Sequence, residues 1–238
     1  MQTNENYKKN FIRKNDGVKK NNSKNFDKPK APKGKDITVI IVDDQDDFSQ
    51  PDGALYVPGG ENIDKHIDNY VCKNRSRITQ IIWTRDAHKD KDKSFEVNGG
   101  TWPIHCVDGT QGAALPDLYN KFIKMGIKTE IFNKGTEPNH EEYGAFENCV
   151  TYHHLHPNDK PHVKNCYFKN FDSTSGCRII NEDIVVCGIA GDYCVKETIK
   201  NLLKHWRFNI SVLMDGVASI DGGTALNELI EEKNLKKI

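Results

Sequence analysis

The chain has 238 residues, enough for one ordinary domain with a full core, and its 34 Lys+Arg balance 34 Asp+Glu to a formal net charge of zero. A chain with no net field has no global attraction to nucleic acid or a membrane surface, and no apolar run approaches the roughly 20 residues that span a bilayer. The seven cysteines form no CxxC pair and are odd in number, which suits free thiols in a reducing compartment, cytoplasmic or nuclear, better than a disulfide framework.

Residues 1–36 hold ten Lys and one Arg against Glu5, Asp16, Asp27 and Asp36, a net of +7, so residues 37–238 carry −7. This N-terminal stretch is Asn-rich, nearly free of aliphatics and lacks the apolar centre of a secretory signal, so it reads as a disordered basic tail. Its charge suits RNA or anionic lipid. Without interleaved aromatics or an amphipathic period, a solvated extension is the better reading, and nucleic acid and membrane are not expected partners.

From Ile37 onward, short β-branched runs alternate with helical patterns. Ile37–Val42, Ile78–Thr84, Ile184–Ile189 and Asn209–Met214 read as buried parallel strands, Lys128–Phe132 as a weaker one and Leu235–Ile238 as a slight last one. Helices are expected over Glu61–Lys73, Ala113–Met125, a short piece near Glu141–Phe146, Val195–Trp206 and Thr224–Lys233. The alternation predicts an α/β domain over 37–238, a three-layer open and mostly parallel sheet with helices on both faces. The stretch 151–177, rich in His, Asn and Lys, reads as a surface insertion.

Ligands of such sheets bind outside the carboxyl ends of the strands, and chemistry-bearing residues gather there. Asp43 follows the first strand, Asp86 and His88 the second, Lys134 the third, and Cys194 lies one turn beyond Ile184–Ile189. A thiol at a helix N-terminus is biased toward thiolate, and the small residues around Gly188-Ile189-Ala190-Gly191 allow a sharp turn that aims amides at an oxyanion. A carboxylate at a buried strand end can take the thiol proton and return it to a leaving amine. An ammonium beside them would stabilise negative charge. Two imidazoles and a carboxylate (Asp86, His88, His105) make a three-donor set with open positions, suited to Zn²⁺, Fe²⁺ or Mn²⁺. A second histidine group, His153, His154, His156 and His162, sits in a polar, Pro-containing setting that reads as a loop.

Five motifs carry a resemblance: Val42-Asp43-Asp44-Gln45-Asp46-Asp47-Phe48, Thr84-Arg85-Asp86-Ala87-His88, Trp102-Pro103-Ile104-His105-Cys106, Lys134-Gly135 and Gly188–Val195 (GIAGDYCV). In order and spacing they resemble the nicotinamidase branch of the isochorismatase-like cysteine hydrolases. The resemblance implies an isochorismatase-like hydrolase fold and a metal-dependent amidase acting on nicotinamide in NAD salvage. It implies Asp43, Lys134 and Cys194 as catalytic residues and the amides of Ala190 and Cys194 as an oxyanion hole, after a cis peptide between Ile189 and Ala190. It further implies Asp86, His88 and His105 as ligands of one divalent ion, zinc foremost, and Phe48, Trp102 and Tyr143 as walls around a pyridine ring. Three positions depart from the pattern: Asp44 where an apolar residue is usual, Ala87 where Trp is common, and Asp92 where many members place another His. The alternatives are a relative acting on another small amide or ureido compound, and, in a different class, a degenerate enzyme serving as a binding module with a basic tail. No feature chooses between a monomer and a homo-oligomer.

Overall fold

The computed structural model describes residues 36–147, 150–151, 166–167, 179–205 and 208–238. All of the expected tail but Asp36, and nearly all of the expected insertion at 151–177, including its four histidines, lie outside the described residues.

Six strands form the sheet: β1 Ile37–Val42, β2 Ile78–Asp86, β3 Lys128–Lys134, β6 Asp183–Ile189, β7 Asn209–Ala218 and β8 Lys236–Lys237. Their order is β3-β2-β1-β6-β7-β8 and every pairing is parallel. A separate antiparallel pair joins β4 Val150–Thr151 to β5 Cys166–Tyr167. The helices are α1 Asp46–Ser49, α2 Gly60–Lys73, α3 Asp117–Lys124, α4 Lys196–His205 and α5 Thr224–Glu232.

Each inner strand is buried on both faces, which is why it reads as an unbroken apolar run. Val39 and Ile41 of β1 point to the layer containing Ile63, Ile67 and Val71 of α2 and Phe122 of α3. Ile40 and Val42 point the other way, to Val195, Ile199 and Leu202 around α4 and Leu226 and Leu229 of α5. Each buried aliphatic side chain contributes about 1.5–3 kcal/mol as an upper estimate, so the two layers hold the sheet from both sides. The chain builds outward from β1 to β2 and β3, then returns to β6 on the other flank of β1. The strand order therefore reverses between β1 and β6, and a crevice opens at their carboxyl ends.

Two expected helices differ. The one over Ala113–Met125 begins only at Asp117, because Pro116 is extended (φ −66°, ψ 163°). The piece near Glu141–Phe146 is not helical: Phe146 has φ 67°, and the segment is held by tertiary contacts. Asn201 of α4 donates to the carbonyls of Gly144 and Ala145 (3.1 and 3.0 Å), and a Cβ on Gly144 would lie 2.5 Å from the Glu197 backbone. Close packing on α4 outweighs local helical preference.

Candidate active site

Cys194 is positioned by a turn that only small residues permit. β6 leaves β1 through Gly188, whose φ is 117° and where a Cβ would meet the Val42 carbonyl oxygen at 2.0 Å. The Ile189–Ala190 peptide is cis, as the resemblance implied. A π-helical turn, Gly191–Val195, then leads into α4, with the Ala190 carbonyl accepting the amides of Tyr193 (3.1 Å) and Val195 (3.0 Å). Asp192 ties this turn to the loop after β7, accepting the amides of Ile220 (3.0 Å) and Asp221 (3.2 Å). The thiol of Cys194 is thereby delivered to the switch-point crevice, 8% exposed.

Asp43, the residue after β1, has φ 47°, a left-handed conformation that Asp tolerates better than most residues. Its amide donates to the carbonyl and to Oγ1 of Thr84, both at 3.2 Å, and Thr84 Oγ1–H donates to Asp43 Oδ1 at 2.6 Å. At the end of β3, the buried ammonium of Lys134 lies 2.8 Å from Asp43 Oδ2, 2.6 Å from Asp86 Oδ1 and 3.7 Å from Cys194 Sγ. Burial pushes the Asp43 carboxyl from its usual range up to about 6, against the opposing pull of Lys134. Burial also pushes the Cys194 thiol well up, Lys134 opposing and Asp43 reinforcing. For Lys134, burial favours the neutral amine, but Asp43 and Asp86 outweigh it and hold the ammonium. At rest the thiol is thus protonated, beside a carboxylate able to take its proton and a fixed cation able to stabilise the product charge.

Asp86, His88 and His105 come together as expected: their donor atoms lie within 4.8 Å of one another, and all three side chains are buried. Each histidine has its Nδ1 committed. That of His88 is 2.8 Å from Asp92 Oδ2, and that of His105 is 2.8 Å from the Pro103 carbonyl. Both partners only accept, so each ring donates through Nδ1, which leaves Nε2 as the atom offered to the cluster. His88 Nε2 lies 3.8 Å from Asp86 Oδ2. A Cβ at Gly135 (φ 62°) would approach His88 Cε1 at 2.9 Å and Asp86 Oδ1 at 3.1 Å, so glycine is required beside the cluster. Two imidazole nitrogens and a carboxylate in one buried corner fit a divalent ion of the zinc class. Burial lowers the His105 pKa, which favours the neutral, ligating form.

Both groups open into one cavity with an empty volume of about 440 Å³ including its mouth, lined by Phe48, Trp102, Tyr143, Cys194, Lys134, Asp86 and His105 among others. Phe48 leans on His105 with ring centroids 5.4 Å apart. In the same cavity wall, Trp102 donates to Tyr143 Oη at 3.1 Å and packs edge-on against Tyr193 at 5.3 Å.

No protein-family model matches the chain. A pyrazinamidase of Pyrococcus horikoshii, solved in complex with zinc, is 31% identical with a TM-score of 0.61, over 85% of this chain and 98% of that one. The chain belongs to the nicotinamidase/pyrazinamidase family. The yeast nicotinamidase bound to the inhibitor nicotinaldehyde is 25% identical, with a TM-score of 0.65 over 85% of this chain and 99% of that one. A nicotinamidase/pyrazinamidase of Mycobacterium tuberculosis is 28% identical over 81% of this chain and 92% of its own length.

Within the nicotinamidase/pyrazinamidase family framework, the three departures acquire structural explanations of different quality. Asp92 is buried against His88. Asp44 is 1% exposed and faces Asp64 of α2, its carboxyl donating to the Asp64 carboxylate, so burial and then Asp64 hold its pKa well above the ordinary range. Ala87 is buried with its amide on the Lys134 carbonyl (2.9 Å), and nothing in the structure explains the smaller side chain. Sequence reasoning missed Tyr193, Glu141, Leu55, Val57 and Ile220 in the cavity wall. Tyr193 was legible, because it immediately precedes the thiol, whereas the other four occupy loops without periodicity. Among the described residues, no helix is long and apolar enough to cross a membrane.

Proposed function

We propose that the protein hydrolyses nicotinamide to nicotinate and ammonia, with Cys194 as nucleophile, Asp43 as proton carrier and Lys134 as fixed counter-charge. The observation that carries this reading is the position of Lys134, whose ammonium touches both the Asp43–Cys194 pair and Asp86 of the metal-type cluster inside one aromatic-walled cavity. A divalent ion, zinc before iron or manganese, would be held by Asp86, His88 and His105, and when bound would take the pyridine nitrogen and draw electron density from the ring.

Phe48, Trp102 and Tyr143, all in the cavity wall, hold the flat ring and exclude water. Asp43 accepts the Cys194 proton, and the thiolate forms a bond to the carboxamide carbon as the C=O electrons move onto oxygen. The amides of Ala190 and Cys194 receive that oxyanion. As the C–N bond breaks, Asp43 passes its proton to nitrogen and ammonia leaves a thioester. Asp43 then removes a proton from water, the hydroxide adds to the thioester carbon, and the C–S bond breaks. The proton on Asp43 returns to sulfur, and the product acid departs, releasing its own proton to solvent as nicotinate. Lys134 keeps Asp43 and the thiolate compatible with burial throughout.

Ammonia release from nicotinamide, with and without a chelator, tests the reading. Turnover is expected from the wild type, with strong loss under chelation. Cys194→Ala should abolish turnover while its metal content stays at the wild-type level. Hydrolysis surviving in that variant, or release of ammonia only from a ureido compound, would overturn the mechanism or the substrate respectively.

A further inference from the structure

The two histidines of the cluster are held by chemically different partners. His105 donates its Nδ1–H to a neutral backbone carbonyl, that of Pro103. His88 donates to a carboxylate, Asp92 Oδ2, at 2.8 Å, and Asp92 is 2% exposed. The Asp92 carboxylate cannot swing away, because its other oxygen accepts the Ser94 amide at 2.9 Å. Its backbone is held too: the amide donates to the Lys89 carbonyl (2.9 Å) and the carbonyl accepts Asn98 Nδ2 (2.8 Å). Phe95, fully buried, packs against both imidazoles at 5.3 and 5.5 Å and keeps water from the rings. Asp92 does not line the cavity. Among the described residues, its side-chain hydrogen bond toward the cluster is the one to His88.

A carboxylate on Nδ1 fixes the ring plane, removes the competing tautomer and makes Nε2 a stronger donor, whereas a carbonyl supplies the first two effects and less of the third. We propose that Asp92 is a positioning residue of the metal centre: its buried carboxylate locks the His88 ring through Nδ1, so that Nε2 is the ligating atom, and, by its charge, makes His88 the stronger imidazole ligand of a divalent ion. This rests on the reading of Asp86, His88 and His105 as a metal site.

The test compares wild type, Asp92→Ala and Asp92→Asn as full-length proteins, each stripped of metal and titrated with zinc against a chromophoric chelator. Asp92→Ala should weaken zinc binding by about 10–100-fold, and Asp92→Asn, which keeps the shape and an acceptor oxygen but not the charge, by about 10-fold. Nitrogen-detected NMR of the metal-free proteins should show His88 with its proton on Nδ1 in the wild type and a mixture of tautomers in Asp92→Ala. The melting temperatures of the metal-free proteins separate loss of ligand quality from loss of fold, and the Asn variant keeps the test open if the Ala variant does not fold. Zinc affinity of Asp92→Ala within threefold of wild type, or an unchanged His88 tautomer, overturns the positioning role. Wild-type affinity in Asp92→Asn overturns the part assigned to charge. A wild type that binds no divalent ion would instead sink the underlying metal reading, so the two failures are distinguishable.

Discussion

The hydroxyl of Thr84 is a handle on Asp43 that touches neither thiol nor substrate cavity. It donates to Asp43 Oδ1 at 2.6 Å, and this bond favours the ionised carboxylate. In the proposed mechanism Asp43 must be ionised to accept the thiol proton, so kcat/KM should rise with pH through the pKa of about 6 and level off above it. Thr84→Val removes the donor with little change in volume, and the Asp43 amide keeps its bond to the Thr84 backbone carbonyl. A hydrogen bond to a charged group is worth about 1.5–3 kcal/mol, and about 1.4 kcal/mol is one pKa unit, so the variant's acid limb should move up by about 1–2 units. The expected midpoint is then about 7–8, with the alkaline plateau largely kept. A bound cation would pull both limbs down together, so the displacement between them carries the test. Thr84→Ser, which retains the hydroxyl, should overlay the wild type. Steady-state rates with nicotinamide across pH 5–9 measure all three, roughly spanning the titration. A Thr84→Val limb that coincides with wild type, or moves to lower pH, would refute Asp43 as the proton carrier.

Gly188→Ala puts a Cβ against the Val42 carbonyl at a φ of 117°, combining backbone strain with overpacking for roughly 2–6 kcal/mol. Calorimetry should show a melting temperature at least about 5 °C lower, with activity reduced because β1 and β6 carry Asp43 and the Cys194 turn; an unchanged melting temperature would contradict the close approach. Asp44→Val addresses the buried acid facing Asp64. A carboxyl whose folded pKa is raised contributes its full stability below the unfolded value of about 4 and loses it as pH rises toward the folded value. The variant should therefore gain stability over wild type progressively from about pH 4 to neutrality, read as a growing difference in denaturant midpoint. A difference that is flat with pH, or that shrinks, would show that Asp44 is not protonated in the fold.

What the amino-acid order determined by itself is the layer pattern and the cast of the site. Unbroken β-branched runs such as Ile37–Val42 and Ile184–Ile189 can be buried only between two helical layers, and Asp43, Asp86, Lys134 and Cys194 all follow such runs, so their arrival at one rim was legible from position alone. The partners within that rim were not. Asp92 lies four residues from His88 in a Lys- and Asp-rich loop, where nothing local distinguishes a buried carboxylate from a solvated one. Thr84 and Asp43, 41 residues apart, meet only because β1 and β2 pair in parallel. The segment at Glu141–Phe146 has helical residues but follows the surface of α4 instead. Burial, register and the pKa of Asp43 are sums over neighbours distant in sequence, and short-range patterning carries no term for them. Tertiary structure alone decided which carboxyls face each other, which one holds an imidazole, and which one lies beside the Lys134 ammonium and the Cys194 thiol.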